Sequence, residues 1–199
     1  MKELFFPELV FPLTNAWESA ISSRMTRTAP AGRLRRSLRQ HREGLRFCLL
    51  FSGYTLLAFI VLYGLDDQVV VPFTRRIAWL THRILRTIGV QTWLDGVSVG
   101  VPGFAVRIKN NCNAIYEIGL YTAAVWAYPA SIRQRLGGFL LGGVALYLVN
   151  LVRVLSLLAL GRYWPGGFQA AHTYVWQALF LAVVAACWLG WVGRVRPVA

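Results

Sequence analysis

Cys112, Arg153 and His172 are the side chains in this sequence best equipped for covalent chemistry, and each stands in an unusual setting. Cys112 lies in KNNCNAIYE (residues 109–117), crowded by asparagines at the polar edge of an apolar run; a cysteine in a core more often acts as a small hydrophobe. Arg153 interrupts the stretch LGGFLLGGVALYLVNLVRVLSLLAL, with Asn150 three residues before it and so on the same helix face. His172 opens the apolar run at the C-terminal end. A thiol at an apolar boundary resists ionisation, and a neighbouring His⁺ or Arg⁺ reverses that. The thiolate would attack a carbonyl, while the imidazole protonates the leaving amine and later deprotonates the acceptor. A guanidinium has a permanent charge and a fixed donor fork; as a preorganised oxyanion or substrate donor it would be worth about 3 kcal/mol. No carboxylate is required. Asn111, Asn113 and Asn150 stand behind these three, to orient the imidazole or bind substrate amides, and Glu117 and Trp176 are grouped with them.

Each residue also has a plainer reading. Arg153 could snorkel to headgroups, His172 could be an interfacial histidine, and Cys112 could be inert. Cys48 and Cys187 lie inside apolar runs and read as packing residues. The three cysteines make no CxxC pair and no zinc-type spacing with histidine, so neither a metal nor a cofactor is expected.

The elements that would position these groups are membrane helices. Of the 199 residues, 56% are hydrophobic and 15% charged, more apolar and less charged than a soluble domain. Lys and Arg outnumber Asp and Glu by 21 to 8, but no nucleic-acid recognition motif accompanies the charge, so nucleic acid is not an expected partner. The start, MKELFFPELVFPL, lacks the basic region and clean apolar core of a secretory signal. The fold expected is an all-α polytopic membrane protein of about four transmembrane helices, with an amphipathic interfacial helix and a small extracytoplasmic β-hairpin. The spans are expected at 47–65, 112–130, 136–160 and 172–193. Around them fall a basic N-terminal region (1–46), an extracytoplasmic segment (66–111), a turn (131–135), a loop (161–171) and a tail (194–199).

Arginines crowd residues 24–46, and Arg133, Arg135, Arg194 and Arg196 mark the second turn and the tail, which predicts both termini in the cytoplasm. The segment PFTRRIAWLTHRILRTI (72–88) pulls the other way with four arginines. Its Ile77, Leu80, Ile84 and Ile88 recur at helical spacing, the pattern of a helix on the outer interface or packed on the bundle. LDGVSVGVPGFAVRIK (94–109) alternates, and reads as two strands with a turn near Gly100–Gly103. The glycines of GGFLLGG would let helices approach closely. With this topology the rise from Leu136 to Arg153 is about 26 Å, close to the hydrocarbon thickness. Cys112, Arg153 and His172 are thus expected at one depth on the extracytoplasmic side.

With these residues in place the chain resembles the exosortase/archaeosortase family of membrane cysteine transpeptidases. The resemblance rests on NNCNAIYE, NLVR and AAH, and covers residues 45–193. It implies a membrane enzyme, in the inner membrane, that cuts C-terminal sorting tails made of a short motif, an apolar span and a basic end. Cys112 would be the nucleophile, with Arg153 and His172 also in catalysis. The short length, the asparagines and the turn YPASIRQR look most like the exosortase H branch. Two departures stand out: many members have more than four spans, and many have Ser or Ala then Gly after the cysteine, where this chain has Asn113 and Ala114. The implied partners are exported proteins bearing such tails, the lipid bilayer and an unknown acceptor nucleophile. The tail's apolar helix would dock laterally between the second, third and fourth spans. Rival readings are a non-catalytic membrane scaffold and a lipid-phosphate phosphatase. The second needs an S-R-x5-H-x3-D element, whereas Arg162 and His172 are wrongly spaced and Trp176 stands four beyond the histidine.

Overall fold

The computed structural model describes residues 30–109 and 112–195. The chain divides into two compact units, Met1–Arg46 and Phe47–Ala199; the candidate site lies wholly in the second. Among the described residues six α-helices carry the fold: α1 (Pro30–Gly64), α2 (Val71–Thr87), α3 (Ile115–Ala127), α4 (Ile132–Tyr163), α5 (Pro165–Ala170) and α6 (Trp176–Val192). Single π-helical turns, Asp66–Val70 and Ala171–Val175, lead into α2 and α6. It is a mostly helical, membrane-type fold with one small antiparallel sheet.

Three helical stretches among the described residues are long and apolar enough to cross a membrane: His41–Gly64, Ile132–Tyr163 and Pro165–Val192. The span expected at 112–130 is shorter, because both ends of α3 are fixed by backbone chemistry. Ala114 before it is left-handed (φ 62°), and Tyr128 after it is extended (φ −75°, ψ 137°), as a residue preceding proline prefers. Thirteen helical residues rise about 20 Å, against a hydrocarbon core of about 30 Å. The loop expected at 161–171 is helical apart from Trp164, where the backbone departs from helical angles (φ −144°) between α4 and Pro165.

α4 begins with a capping box: Ser131 Oγ accepts from Gln134 N (3.4 Å), and Ser131 N donates to Gln134 Oε1 (3.0 Å). α3, α4 and α6 pack on one another around Tyr121, Val125, Leu146, Phe180 and Val184. Of the glycines in GGFLLGG, Gly138 and Gly142 serve close approach: a Cβ at either would collide with Trp191 or Tyr121 respectively. The two aromatics then bond to the helix backbone, Tyr121 Oη donating to Gly138 O (3.0 Å) and Trp191 Nε1 to Gln134 O (3.2 Å). This packing closes the space between these helices beside Gly138 and Gly142. An apolar groove of about 410 Å³ lies instead between α1 and α3, bounded by Leu57, Val61, Ile115, Ile118 and Trp126. Cys48 is exposed, not a packing residue, since its helix turns that side away from the bundle; Cys187 is partly buried.

The sheet has three strands where two were expected: β1 (Trp93–Asp95), β2 (Ser98–Val101) and β3 (Phe104–Arg107), in order β1-β2-β3. The turn at Pro102–Gly103 uses a positive φ at Gly103 (87°). β1 is too short to show alternation, and pairing reveals it: Trp93 faces Gly100 and its ring covers the space a Cβ there would need. α2 packs on the sheet and on α4 through Thr74, Ile77, Ala78 and Thr81, so its apolar face is spent on the protein.

Candidate active site

Cys112 sits in a turn ahead of α3, its N–H donating to Lys109 O (2.8 Å). It is 3% exposed and packs with Ile77 and Ala78 of α2, Val99 of β2, and Val154, Leu157 and Leu158 of α4. Asn113, fully buried, ties this turn down twice. Its Oδ1 accepts from Ile115 N (3.1 Å), and its Nδ2 donates to Thr74 Oγ1 (2.8 Å), which donates in turn to Val70 O (2.8 Å). Next in the chain, Ala114 holds the left-handed conformation that side chains disfavour. A disfavoured backbone conformation persists only where its surroundings over-determine it, and the buried hydrogen bonds of Asn113 do so here.

Arg153 is 1% exposed, so it faces the bundle interior and does not snorkel. Its guanidinium lies 5.8 Å from the centre of the Phe180 ring, and its charge acts on Cys112. Cys112 lies outside the three apolar helices, and burial pushes its thiol up; Arg153 pulls it back down, and Glu117 pushes it up again. Burial wins in the free protein, so the resting group is the thiol.

His172 is half-buried in the second π-turn, a kind of helical irregularity frequent at functional sites. Its ring stacks on Phe168 at 5.8 Å, and Phe168 meets Phe104 of β3 edge-on at 5.1 Å. Phe168, Ala171 and Trp176 pack against the cluster that contains Cys112, which brings the π-turn to the same end of α4 as the cysteine. Asn150, one turn before Arg153, is fully buried, and neither side-chain polar atom has a hydrogen-bond partner among the described residues. Glu117, in the first turn of α3, is partly buried with one carboxylate oxygen enclosed. Asn111 lies outside the described residues. No group of three or more His, Cys, Asp or Glu that could hold a metal ion occurs among the described residues.

Sequence reasoning missed Thr74, Phe168 and Phe180. Thr74 carries a findable signal: it shares the buried face of α2 with Ile77, Ala78 and Thr81, where a hydroxyl must find a partner. The two phenylalanines have no such signal, since an apolar residue in an apolar run does not announce which ring it will meet.

A family model described as transmembrane exosortase matches residues 38–193. No curated protein and no solved structure matches the chain.

Proposed function

The chain belongs to the transmembrane exosortase family, and from that premise we propose a membrane cysteine transpeptidase that cleaves C-terminal sorting tails through a thioester on Cys112. Family and fold give the coarser statement: a membrane protein with a general peptidase or transpeptidase role. The observation that carries the finer reading is Arg153, 1% exposed, at the level of α4 where Val154, Leu157 and Leu158 pack with Cys112 and with Phe168 and Ala171 beside His172.

In this reading His172 takes the thiol proton as the sulfur forms its bond to the scissile carbonyl carbon. The same imidazole gives that proton to the departing amine as the C–N bond breaks. An incoming nucleophile, protein amine or water, then loses its proton to His172, attacks the thioester and releases the sulfur. Arg153 steadies the negative charge on the oxygen in both halves. The unpartnered Asn150 amide suits a substrate amide, because a buried polar pair is most valuable when both members are satisfied. Asn113 positions the Cys112 turn, and Trp176 packs beside it. The arginine distribution supports termini on the cytoplasmic side and chemistry at the extracytoplasmic face of the inner membrane.

The tail's apolar helix would enter from lipid through the groove between α1 and α3. The groove is lined almost wholly by hydrocarbon, and its Thr122 hydroxyl is spent on Ile118 O (2.7 Å). Such a groove suits a helix whose backbone polar groups are satisfied internally. Since Cys112 is 3% exposed, arrival of the substrate must part the turn above it.

Co-expression with an exported protein bearing such a tail tests the proposal. Wild type cleaves the tail, while Cys112→Ala and Arg153→Ala at matched membrane abundance leave it uncut. Cleavage by Cys112→Ala would defeat the reading and favour a scaffold.

A further inference from the structure

The basic stripe of α2 has no place in the chemistry above. Arg75, Arg76, Arg83 and Arg86 are exposed, and Trp79 is 52% exposed among them. At about 100° per residue all four arginines fall within roughly 60° of Trp79, diametrically opposite the face buried on the protein. Arg83 lies over the Trp79 ring at 5.7 Å. Residues 71–88 contain no Asp or Glu, the nearest acids being Asp66 and Asp67 in the preceding π-turn. Four uniformly basic side chains around one tryptophan, turned away from the bundle, ask for an anionic partner.

The level of the stripe says which. α4 has 32 residues and rises about 48 Å, some 18 Å more than the hydrocarbon core. With Arg133 and Arg135 marking one boundary, twenty residues on from Leu136 set the other near Ser156. α2 packs there, through Ile77 and Ala78 against Val154, Leu157 and Leu158. Trp79, Arg83 and Arg86, which follow Ile77, are therefore at headgroup height, where tryptophan is enriched and where arginine meets the field of anionic lipid. Arg75 and Arg76 start lower, since Phe73 meets Tyr147 further down α4, at a depth from which arginine snorkels to the headgroups.

We propose that the Arg75–Arg86 stripe binds the anionic headgroups of phospholipid, with Trp79 seated at the interface between them. The stripe then anchors α2, and with it the Thr74 contact to the Cys112 turn, at a fixed height on the membrane surface. An acidic protein or a purely solvated face are the competing occupants.

The full-length protein in vesicles, with brominated phosphatidylglycerol or brominated phosphatidylcholine as quencher, tests this. The difference in fluorescence between wild type and Trp79→Phe isolates the one ring. Quenching of that ring should be stronger with the brominated phosphatidylglycerol. The preference should fall about fivefold for each arginine removed, in the paired variants Arg75→Gln/Arg76→Gln and Arg83→Gln/Arg86→Gln. The comparison of the two lipids needs only Trp79→Phe to fold, a conservative change at a half-exposed ring. Equal quenching by the two lipids, or a Trp79 ring that neither lipid reaches, would overturn the proposal. The readout involves no cleavage, so the assignment of Cys112 can fail without affecting it.

Discussion

Replacing Thr74 by valine leaves shape almost unchanged and removes one hydroxyl. That hydroxyl accepts from Asn113 Nδ2 at 2.8 Å, with Asn113 fully buried and Thr74 3% exposed, so the substitution strands an amide donor without water to replace the bond. A stranded buried donor costs about 1–3 kcal/mol, roughly a 5- to 150-fold rise in the population with the Cys112 turn released. Cys112 is 3% exposed, so a membrane-permeant maleimide reaches it through that released state. In a Cys48→Ala/Cys187→Ala background, Thr74→Val should raise the alkylation rate of Cys112 by a factor in that range and lower tail cleavage. Thr74→Ser, which keeps the hydroxyl, should restore both. Alkylation of Thr74→Val at the parental rate, or a serine variant as labile as the valine one, would show that the Thr74–Asn113 bond does not hold the turn.

Other perturbations read the site differently. Arg153→Gln should move the alkylation midpoint of Cys112 to higher pH, because it removes the charge that pulls the thiol down; Glu117→Gln should move it lower, because it removes the charge that pushes it up. A pH series of alkylation rates checks both signs. Ala114→Gly relieves the left-handed strain at φ 62° and should stabilise the fold by up to about 1 kcal/mol, the gain offset in part by unfolded-state entropy; thermal unfolding in detergent measures it. Gly142→Ala puts a methyl into the buried Tyr121 ring, and should lower the same midpoint at a cost of about 1–3 kcal/mol. A photo-crosslinking residue at Val61, in the groove, should capture a bound tail, whereas one at Leu141, exposed on α4, should not; the reverse pattern would place docking elsewhere.

Much of the fold could be read from the chain because long apolar runs and caps are local signals. The stretch from Leu136 to Leu160 and the run ending at Trp191 had to be helices, and the alternation of residues 98–107 had to be strand. That the turn of Cys112 and the segment around His172 both pack near residues 154–158 of α4 is what sequence spacing leads one to expect, because a helix converts sequence distance into depth at a fixed rise. The short α3 was not legible. Its apolar run is long enough for a span, and the limits come from one left-handed residue, Ala114, and from Pro129 acting on Tyr128. The apolar groove between α1 and α3 was also out of reach, since it depends on which helices meet. The strand at Trp93–Asp95 is defined by its partner. Thr74 shares a helix face with Ile77 and Ala78, a signal that is easily passed over because a threonine in a basic helix looks solvated.

The most direct test of the central claim is to trap the acyl-enzyme. Wild-type protein in membranes, given a tail-bearing substrate and quenched in acid, is digested and the peptide containing Cys112 is weighed. The account predicts the mass of the substrate's upstream fragment on Cys112 as a thioester, released by hydroxylamine, and absent from Cys112→Ser. Cleavage of the substrate with Cys112 unmodified at every time point, or a hydroxylamine-labile adduct on another residue, would contradict it.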